Sequence, residues 1–277
     1  MFEKNYYCLV AGLREYALDA EVKGFDARAI REEILEELTE ADAREVRLLY
    51  GYYDCENLIA RFGGRSAYNP LGSLTADEVG EALQSPDRLP AEMARVVRAY
   101  RSSESEEAEE LDMTRSFESN LLEAYYRTCA RAKSRFLREW STFDRTLRNI
   151  AAAVAARAAG RDVERVTVGE DDVTEQLRRS SASDFGLRGE LPYVDAVIAA
   201  VNDEPNLLEK EHKIDLIRWN ESLELTVQNY FDIDAVLAYL VRVNIVARWT
   251  LLDRERGREL FEELLRSLDA KEKINKQ

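Results

Sequence analysis

Apolar residues recur at helical spacing along most of the chain, which predicts long amphipathic helices. After Phe25 one such stripe consists of Ile30, Ile34, Leu35 and Leu38. Glutamate and arginine occupy the opposite positions, as on a helix with one buried face. Thr39 is predicted to cap a second helix with Asp42 in its first turn, and Gly63-Gly64 is predicted to end it.

Turn and capping residues predict the next boundaries. Thr75 and Glu78 have the spacing of a capping box that opens a short helix. Pro90 suits the first position of the helix after it, because proline lacks the amide hydrogen that this position leaves unpaired. The acidic residues 102–110 are predicted to form a solvated linker or a fraying helix end.

The middle of the chain is predicted to hold two long helices. The first carries the apolar residues from Phe117 to Trp140, and the second is capped by Ser141 or Thr142 and ends at Gly160. Alanines near the end of the second helix allow close approach of another helix. Residues 161–190 are predicted to contain one short acidic helix and a loop.

Three further helices are predicted at the C-terminal end. One runs from Pro205 to about Leu225, and the next is an apolar helix capped by Asp232 or Asp234. A last helix begins at about Arg254 and ends in a charged tail.

The longest apolar stretch, Val236–Leu252, is interrupted by Arg242, Asn244 and Arg248. Spanning a bilayer would bury these polar groups, at roughly 2.5–3.5 kcal/mol for each central arginine. The stretch is therefore predicted to be a buried helix. Replacing Trp249 by alanine is expected to cost roughly 3–5 kcal/mol, as for emptying a large aromatic side chain from a core.

A short pattern recurs three times along the chain. Asn57 lies in NLIAR, Asn149 in NIAAA and Asn244 in NIVAR, with separations of 92 and 95 residues. An aromatic-Asp pair precedes each, and these pairs are Tyr53-Asp54, Phe143-Asp144 and Phe231-Asp232. The near-constant period predicts three copies of one helical unit. The distance from pair to asparagine varies, so coincidence is the alternative interpretation.

An asparagine in the apolar stripe of a helix needs a structural reason. Its amide must find hydrogen-bond partners or cost about 1–3 kcal/mol when buried. Each of the three asparagines is predicted to bond a neighbouring helix or loop. The repeat predicts an all-α fold of three pseudo-repeated helical bundles, covering residues 1–101, 102–200 and 201–277, packed as one compact assembly.

Composition agrees with a helical, globular protein. Apolar residues make up 45% and charged residues 34%, while the 277 residues include only 12 glycines and 5 prolines. Scarcity of turn residues favours long helices over sheets. The net charge of −15 argues against nucleic acid and anionic lipid as partners. Arginines interspersed with glutamates on helix surfaces are the preferred interpretation, and a local basic patch is the alternative.

The cysteines and the N-terminus indicate the compartment. Cys8, Cys55 and Cys129 are far apart and form no CxxC pair, which suits a reducing cytoplasm. The N-terminal apolar run is too short for a secretory signal and lacks its cleavage site.

Candidate sites for chemistry are incomplete. Glu209 and His212 match half of a di-iron motif, but His212 is the sole histidine of the sequence. Asp171, Asp172 and Glu175 resemble a magnesium motif of helical isoprenoid enzymes, although acidic residues at a helix start are the simpler interpretation.

Other catalytic patterns are also missing. The FGGRS turn with Arg65 could hold a phosphate, but a turn that ends a helix is the commoner case. No phosphate-binding loop, HExxH, GxSxG or GxGxxG occurs in the sequence. We therefore expect no cofactor and no catalytic residues, with carboxylate-only chemistry left open.

Two parts of the chain resemble a known family. The first is NYYCLVAGL followed by YYDCENLIARF; the second is EPNLLEKEHKIDLIRWN, from Glu204 to Asn220, followed by YFDIDAVLAYLVRVNIVARW. Together they resemble an uncharacterised bacterial family that is encoded among V/A-type ATPase genes and stands in for the C subunit of these ATPases (the eukaryotic d subunit). The Tyr-Asp-x-x-Asn-Leu of residues 53–58 is also similar to the C subunit itself.

The resemblance implies a funnel of three similar helical bundles and a non-catalytic coupling role. Such a protein joins the membrane rotor ring to the central shaft of a proton- or sodium-transporting ATPase. Its expected partners are other V/A-type ATPase subunits, and its expected place is the cytoplasm, peripheral to the inner membrane through the complex. Two alternatives stay open, a metal-dependent enzyme acting on a diphosphate and an unrelated helical adaptor.

Overall fold

The computed structural model describes residues 4–18, 24–102, 104–202 and 206–251. Within these ranges the chain is helical and contains no strand, which confirms the predicted all-α class. The α-helices are α1 (Tyr7–Gly12), α2 (Ala27–Glu37), α3 (Glu40–Phe62), α4 (Ala76–Gln84), α5 (Ala91–Arg101), α6 (Glu106–Glu109), α7 (Phe117–Cys129), α8 (Arg135–Ala158), α9 (Asp172–Arg179), α10 (Val194–Asn202), α11 (Leu207–Glu224) and α12 (Ile233–Leu251).

Most helix starts in the N-terminal half are where capping chemistry predicts them. The Thr39 side chain accepts from the amide of Asp42 at the start of α3. Thr75 and Glu78 form a complete capping box at the start of α4. Pro90 lies one position earlier than predicted, because it is the residue before the first turn of α5.

The boundary predicted at Ser141 or Thr142 is wrong. The chain breaks at residues 130–134, and Ser134 caps a continuous helix α8, its hydroxyl accepting from the amide of Leu137 at 3.0 Å. Ser141 and Thr142 lie inside α8 and donate to the carbonyl of Arg138. The local sequence pattern does not reveal this break, because contacts with distant parts of the chain, given in the Discussion, fix the position of Ser134.

The C-terminal helices follow the prediction with small shifts. Asn206 caps α11, while Pro205 lies outside the described residues. Asp232 caps α12 by accepting from the amides of Asp234 and Ala235. The last predicted helix, from about Arg254, also lies outside the described residues. Helix α10 was not predicted.

Helix α12 is a buried helix, as predicted. Every residue from Val236 to Ala247 except Arg242 is buried. Among the described residues, no helix is long and apolar enough to cross a membrane.

Two hydrophobic cores form around the long helices. One unites α2, the N-terminal half of α3, α8, α9, α10, α11 and α12, and the other unites the C-terminal half of α3 with α4, α5 and α7. Helix α3 contributes to both, and Leu48 packs against both. The two cores are therefore joined through one continuous helix.

The packing of the long helices closes into a ring. Helix α3 packs against α7, helix α8 packs against α10 and α11, and helix α12 packs against α2. The three long helices are α3, α8 and α12. Helix α3 contacts the helix before α8, helix α8 contacts the helix before α12, and helix α12 contacts the helix before α3. These contacts cross the predicted unit boundary at residue 101, because α7 of the second predicted unit packs against α3 and α5 of the first. The three-bundle division itself stays a prediction.

Candidate functional site

A cleft of about 970 Å³ lies among the three long helices. Its walls come from α3, α7, α8, α11 and α12, together with the loops that follow α3 and α8. Asn57, Asn149 and Asn244 all line it. The cleft is therefore the place where the three copies of the sequence pattern meet.

Asp144 is the first centre of a buried ionic chain in this cleft. It accepts hydrogen bonds from the Tyr126 hydroxyl (3.1 Å), Arg148 Nε (2.7 Å) and Arg218 Nε (3.1 Å). Burial alone would raise the pKa of this carboxyl group. The two guanidinium groups outweigh burial and hold its pKa below the ordinary value, so Asp144 is an anion at neutral pH.

Asp215 is the second centre of the chain. It accepts from Arg218 Nη1 (2.9 Å), from Arg248 Nη1 at both carboxylate oxygens (3.0 and 2.9 Å) and from Trp249 Nε1 (2.9 Å). Arg248 also pairs with Glu211. The chain of charges connects α8, α11 and α12, so it ties one wall of the cleft to the next.

Aromatic rings line the cleft beside this ionic chain. Tyr52, Tyr53, Tyr125 and Tyr126 line the cleft, and the Arg148 guanidinium lies 4.0 Å from the centre of the Tyr52 ring. Burial raises the pKa of Tyr52 and Tyr53, which keeps these phenols neutral. These rings therefore add neutral surface beside the charged residues of the cleft.

Asn57 and Asn149 make the same pair of hydrogen bonds. Asn57 donates to the carbonyl of Asn69 (3.0 Å) and accepts from the amide of the same residue (2.6 Å). Asn149 donates to the carbonyl of Val168 (2.7 Å) and accepts from its amide (2.9 Å). Each side chain thus binds the backbone of one residue in the loop after its own helix, which agrees with the predicted role for these two copies.

The third asparagine differs. Asn244 is buried, and among the described residues its Oδ1 has no hydrogen-bond partner. The Tyr50 hydroxyl is its neighbour. Burial raises the pKa of Tyr50, and the nearby Arg31 and Asn244 side chains offset part of that rise.

The aspartates of the three aromatic-Asp pairs have different roles. Asp54 accepts from the amides of Ser73 and Leu74 in the loop after α3. Asp144 belongs to the ionic chain, and Asp232 is the cap of α12. This part of the proposed repeat has no common structural role, which accounts for its variable spacing.

The magnesium candidates are not gathered in the cleft. Asp171 caps α9 and pairs with Arg145 at 2.9 Å, and Glu175 pairs with Arg179 at 3.1 Å. Asp172 is exposed. In the described ranges, no three His, Cys, Asp or Glu side chains are arranged to hold a metal ion.

The remaining candidates are dispersed. Arg65 is exposed at the rim of the cleft. His212 lies edge-on to the Trp249 ring, with 5.4 Å between ring centres. Cys129 is buried, and burial raises the pKa of its thiol to about 12, so it is protonated and unreactive at neutral pH. Cys55 is likewise buried with a raised pKa.

Trp249 is only half-buried, although its ring packs on the first core. Its alanine substitution stays a prediction, and the indole hydrogen bond to Asp215 adds a polar component that the sequence did not indicate.

Sequence reasoning missed the ionic chain. Asp215 and Arg218 lie three residues apart on α11, and Arg248 interrupts the apolar run of α12. A charge within an apolar run usually requires an opposite charge, and that signal was available. The pairing itself joins residues 74 and 33 positions apart, which no local spacing reveals.

The fold and the cleft define an all-helical protein whose long helices surround a polar cleft held by buried ion pairs. The sequence matches the family described as "Protein of unknown function (DUF2764)" over residues 3–272, and the chain belongs to this family. No curated protein and no solved structure matches it.

Proposed function

We propose that this chain is a non-catalytic coupling subunit of a V/A-type rotary ATPase, linking the membrane rotor ring to the central shaft. One observation carries the proposal. Of the stretches that resemble the ATPase-associated family, those on α3, α11 and α12 lie apart in sequence and contribute residues to the same cleft, whereas NYYCLVAGL, which contains α1, contributes none. Most of the resemblance therefore falls in one connected region of the fold.

The construction of the cleft suits a part that transmits torque. Long helices packed in a closed ring resist bending, and the Asp144–Arg218–Asp215–Arg248 chain connects α8 to α12 through α11 inside the cleft. The diphosphate enzyme requires carboxylates converging in a cavity, including Asp171 and Asp172. Neither residue is among those that line the cleft.

The charges that line the cleft favour a partner whose contact surface is acidic or of mixed charge. Its lining includes six basic residues and five acidic ones, whereas the whole chain carries −15. Assembly through charge complementarity weakens when salt screens it. We expect raised salt to lower the association rate of this chain with ATPase subunits.

The direct test is affinity purification of the full chain from detergent-solubilised native membranes. We expect ATPase subunits in the eluate, fewer with Arg65→Glu combined with Lys210→Glu, and an unchanged amount with Arg28→Glu. Arg65 and Lys210 line the cleft, while Arg28 is an exposed arginine away from it. Recovery of this chain without any ATPase subunit would contradict the proposal and favour the alternative of an unrelated helical adaptor.

Gene deletion provides the functional test. ATP hydrolysis by the soluble heads should persist, while ATP-driven ion pumping in membrane vesicles should be lost and return with the wild-type gene. Pumping at the normal rate after deletion would exclude the coupling role. Stoichiometric magnesium binding abolished by Asp171→Asn with Asp172→Asn would instead support the enzyme.

A further inference from the structure

The carboxylates that line the cleft are mostly occupied by donors of the chain itself. Asp144 and Asp215 each accept hydrogen bonds from several side chains. Glu211 is held in a salt bridge, and Glu56 accepts from a side-chain amide. Glu118 is the exception, because it is exposed and makes no ion pair within the described chain. The cleft therefore has few free acceptors for a ligand.

Several donors that line the same cleft have no acceptor. Arg148 bonds a carboxylate through Nε alone, and no oxygen of the described residues accepts from its two Nη atoms. The side chains of Arg65 and Lys210 make no hydrogen bond and no ion pair in the part of the chain that the structure describes. The hydroxyls of Tyr52 and Tyr53 make no hydrogen bond there either. The unused hydrogen-bonding capacity of the cleft is therefore mainly that of donors.

The free donors of Arg148 lie against aromatic surface. Its guanidinium is 4.0 Å from the centre of the Tyr52 ring, and the ring centres of Tyr52 and Tyr53 are 5.8 Å apart. A guanidinium that lies on a ring and is bonded through Nε is fixed in orientation, which leaves the two Nη atoms as a rigid pair of donors.

Positive charge also accumulates on the side of the cleft formed by α11 and α12. Burial would lower the pKa of Arg248, its partners Asp215 and Glu211 raise that pKa overall, and Arg148 acts against them as a like charge. Lys210 precedes Glu211 on α11 and lines the same cleft. An anion bound here would offset the repulsion between the two guanidinium groups.

We propose that the cleft binds the phosphate groups of a small molecule, with the Arg148 Nη atoms and the Lys210 ammonium as principal donors and Arg65 at the rim. A terminal phosphate offers three acceptor oxygens and roughly two negative charges, whereas a carboxylate offers two oxygens and one charge. Arginine binds such groups through paired donors. The 970 Å³ of the cleft also leaves room for the rest of the molecule beside the Tyr52 and Tyr53 rings.

This binding is a property of the isolated chain and does not depend on the proposed ATPase role. Its test is isothermal titration calorimetry of the purified full-length protein with inorganic phosphate and with pyrophosphate, at low ionic strength and without divalent cations. We expect one site per chain that both probes occupy. Pyrophosphate should bind about tenfold or more tightly, because it reaches more of the donors.

The variants locate the site. Arg65→Gln combined with Lys210→Gln should weaken pyrophosphate binding about tenfold or more, and their side chains bond no other described residue, so the fold should be unaffected. Arg148→Lys keeps the charge but loses the paired donors, and it should also weaken binding about tenfold. Arg28→Gln combined with Lys133→Gln is the matched control. It removes the same charge from exposed positions outside the cleft and should leave the affinity unchanged.

Three results would overturn the inference. The first is the absence of saturable binding at millimolar pyrophosphate. The second is an equal loss of affinity in the cleft variants and in the control, which would show attraction to overall charge alone. The third is binding of glutarate, a dicarboxylate, as tightly as pyrophosphate, which would assign the cleft to carboxylates. Recovery of ATPase subunits from membranes is measured separately, so failure of this inference is distinguishable from failure of the coupling role.

Discussion

At the residue scale, the buried charges of the cleft are side chains that are costly to leave without a partner. Asp215 has a side chain only 2% exposed and is bonded to two arginines and a tryptophan. Removing its charge leaves Arg218 buried without full compensation, which is the costly way to break such a pair.

We expect Asp215→Asn to lower the free energy of unfolding by about 3 kcal/mol, measured by urea denaturation. Asp195→Asn is the control, because Asp195 makes a two-oxygen pair with Arg188 in which both side chains are exposed. That change should leave stability nearly unaltered, since water screens exposed pairs. Equal effects of the two variants would show that the cleft pairs contribute no more than surface pairs.

The same cleft predicts a pH dependence through Asp144. The folded-state pKa of Asp144 lies below that of the unfolded chain, about 3.9. The stability it contributes is present above that value and is lost as pH falls through the lower folded-state pKa. The difference in unfolding free energy between wild type and Asp144→Asn should therefore be largest near neutral pH and shrink in acid.

Asp54→Asn is the comparison with the opposite sign. Burial raises the pKa of Asp54, so the wild type loses stability relative to this variant as pH rises through that pKa. Denaturation series from acid to neutral pH should give opposite slopes for the two variants. Parallel slopes would contradict the assigned pKa directions.

At the element scale, the start of α8 is decided by contacts from two other parts of the chain. Ser134 donates to Asp234 at 2.6 Å, and the Glu45 carboxylate accepts from the amides of Lys133 and Ser134, both at 3.2 Å. Ser134 therefore joins α8 to α3 and α12 as well as capping it.

Ser134→Ala should lower the free energy of unfolding by about 1–2 kcal/mol, because it removes a cap and a buried hydrogen bond. Thr142→Ala should leave it unchanged or raise it slightly, since Thr142 lies on the exposed face of α8 and alanine favours helix more. Thermal denaturation of both variants tests the position of the helix start. A larger loss for Thr142→Ala would restore the boundary predicted from sequence.

The loop after α3 depends on a close approach at Gly72. A Cβ atom there would lie 2.7 Å from Asn57 Nδ2 and 2.8 Å from Asp54 Oδ1. Both side chains are already bonded to this loop, so neither can move without losing a hydrogen bond.

Gly72→Ala should lower the free energy of unfolding by about 1–3 kcal/mol through this clash. Gly189→Ala is the matched change, because a Cβ at Gly189 meets nothing within 4 Å. It should be neutral or slightly stabilising, since alanine restricts the unfolded chain. Equal denaturation midpoints for the two variants would argue against the packed loop.

At the scale of the whole molecule, closed packing should make unfolding cooperative. Helix α3 belongs to both cores, and the ring of contacts leaves no long helix of the described chain at a free end. We expect one calorimetric transition with equal calorimetric and van't Hoff enthalpies. Leu58→Ala in one core and Leu147→Ala in the other should both lower its midpoint. Two transitions, each shifted by one variant only, would support independent units.

Local sequence patterns by themselves determined the helical class, the caps at Thr39 and Thr75, the burial of α12 and the need of Asn57 and Asn149 for hydrogen-bond partners. These features depend on residues within one or two turns of each other, so periodicity and capping chemistry reveal them. The division into 1–101, 102–200 and 201–277 is a weaker result, because packing does not follow sequence order.

Only the tertiary structure decided where α8 begins, which backbone Asn57 and Asn149 bind and that the charges of α8, α11 and α12 form one chain. Ser134 meets Asp234 across 100 positions, and Arg218 meets Asp144 across 74. Such contacts arise when helices pack, and their partners are free to lie anywhere in the sequence. The cleft is defined by these distant contacts. Sequence patterns therefore identified its asparagines but could not identify its ionic chain.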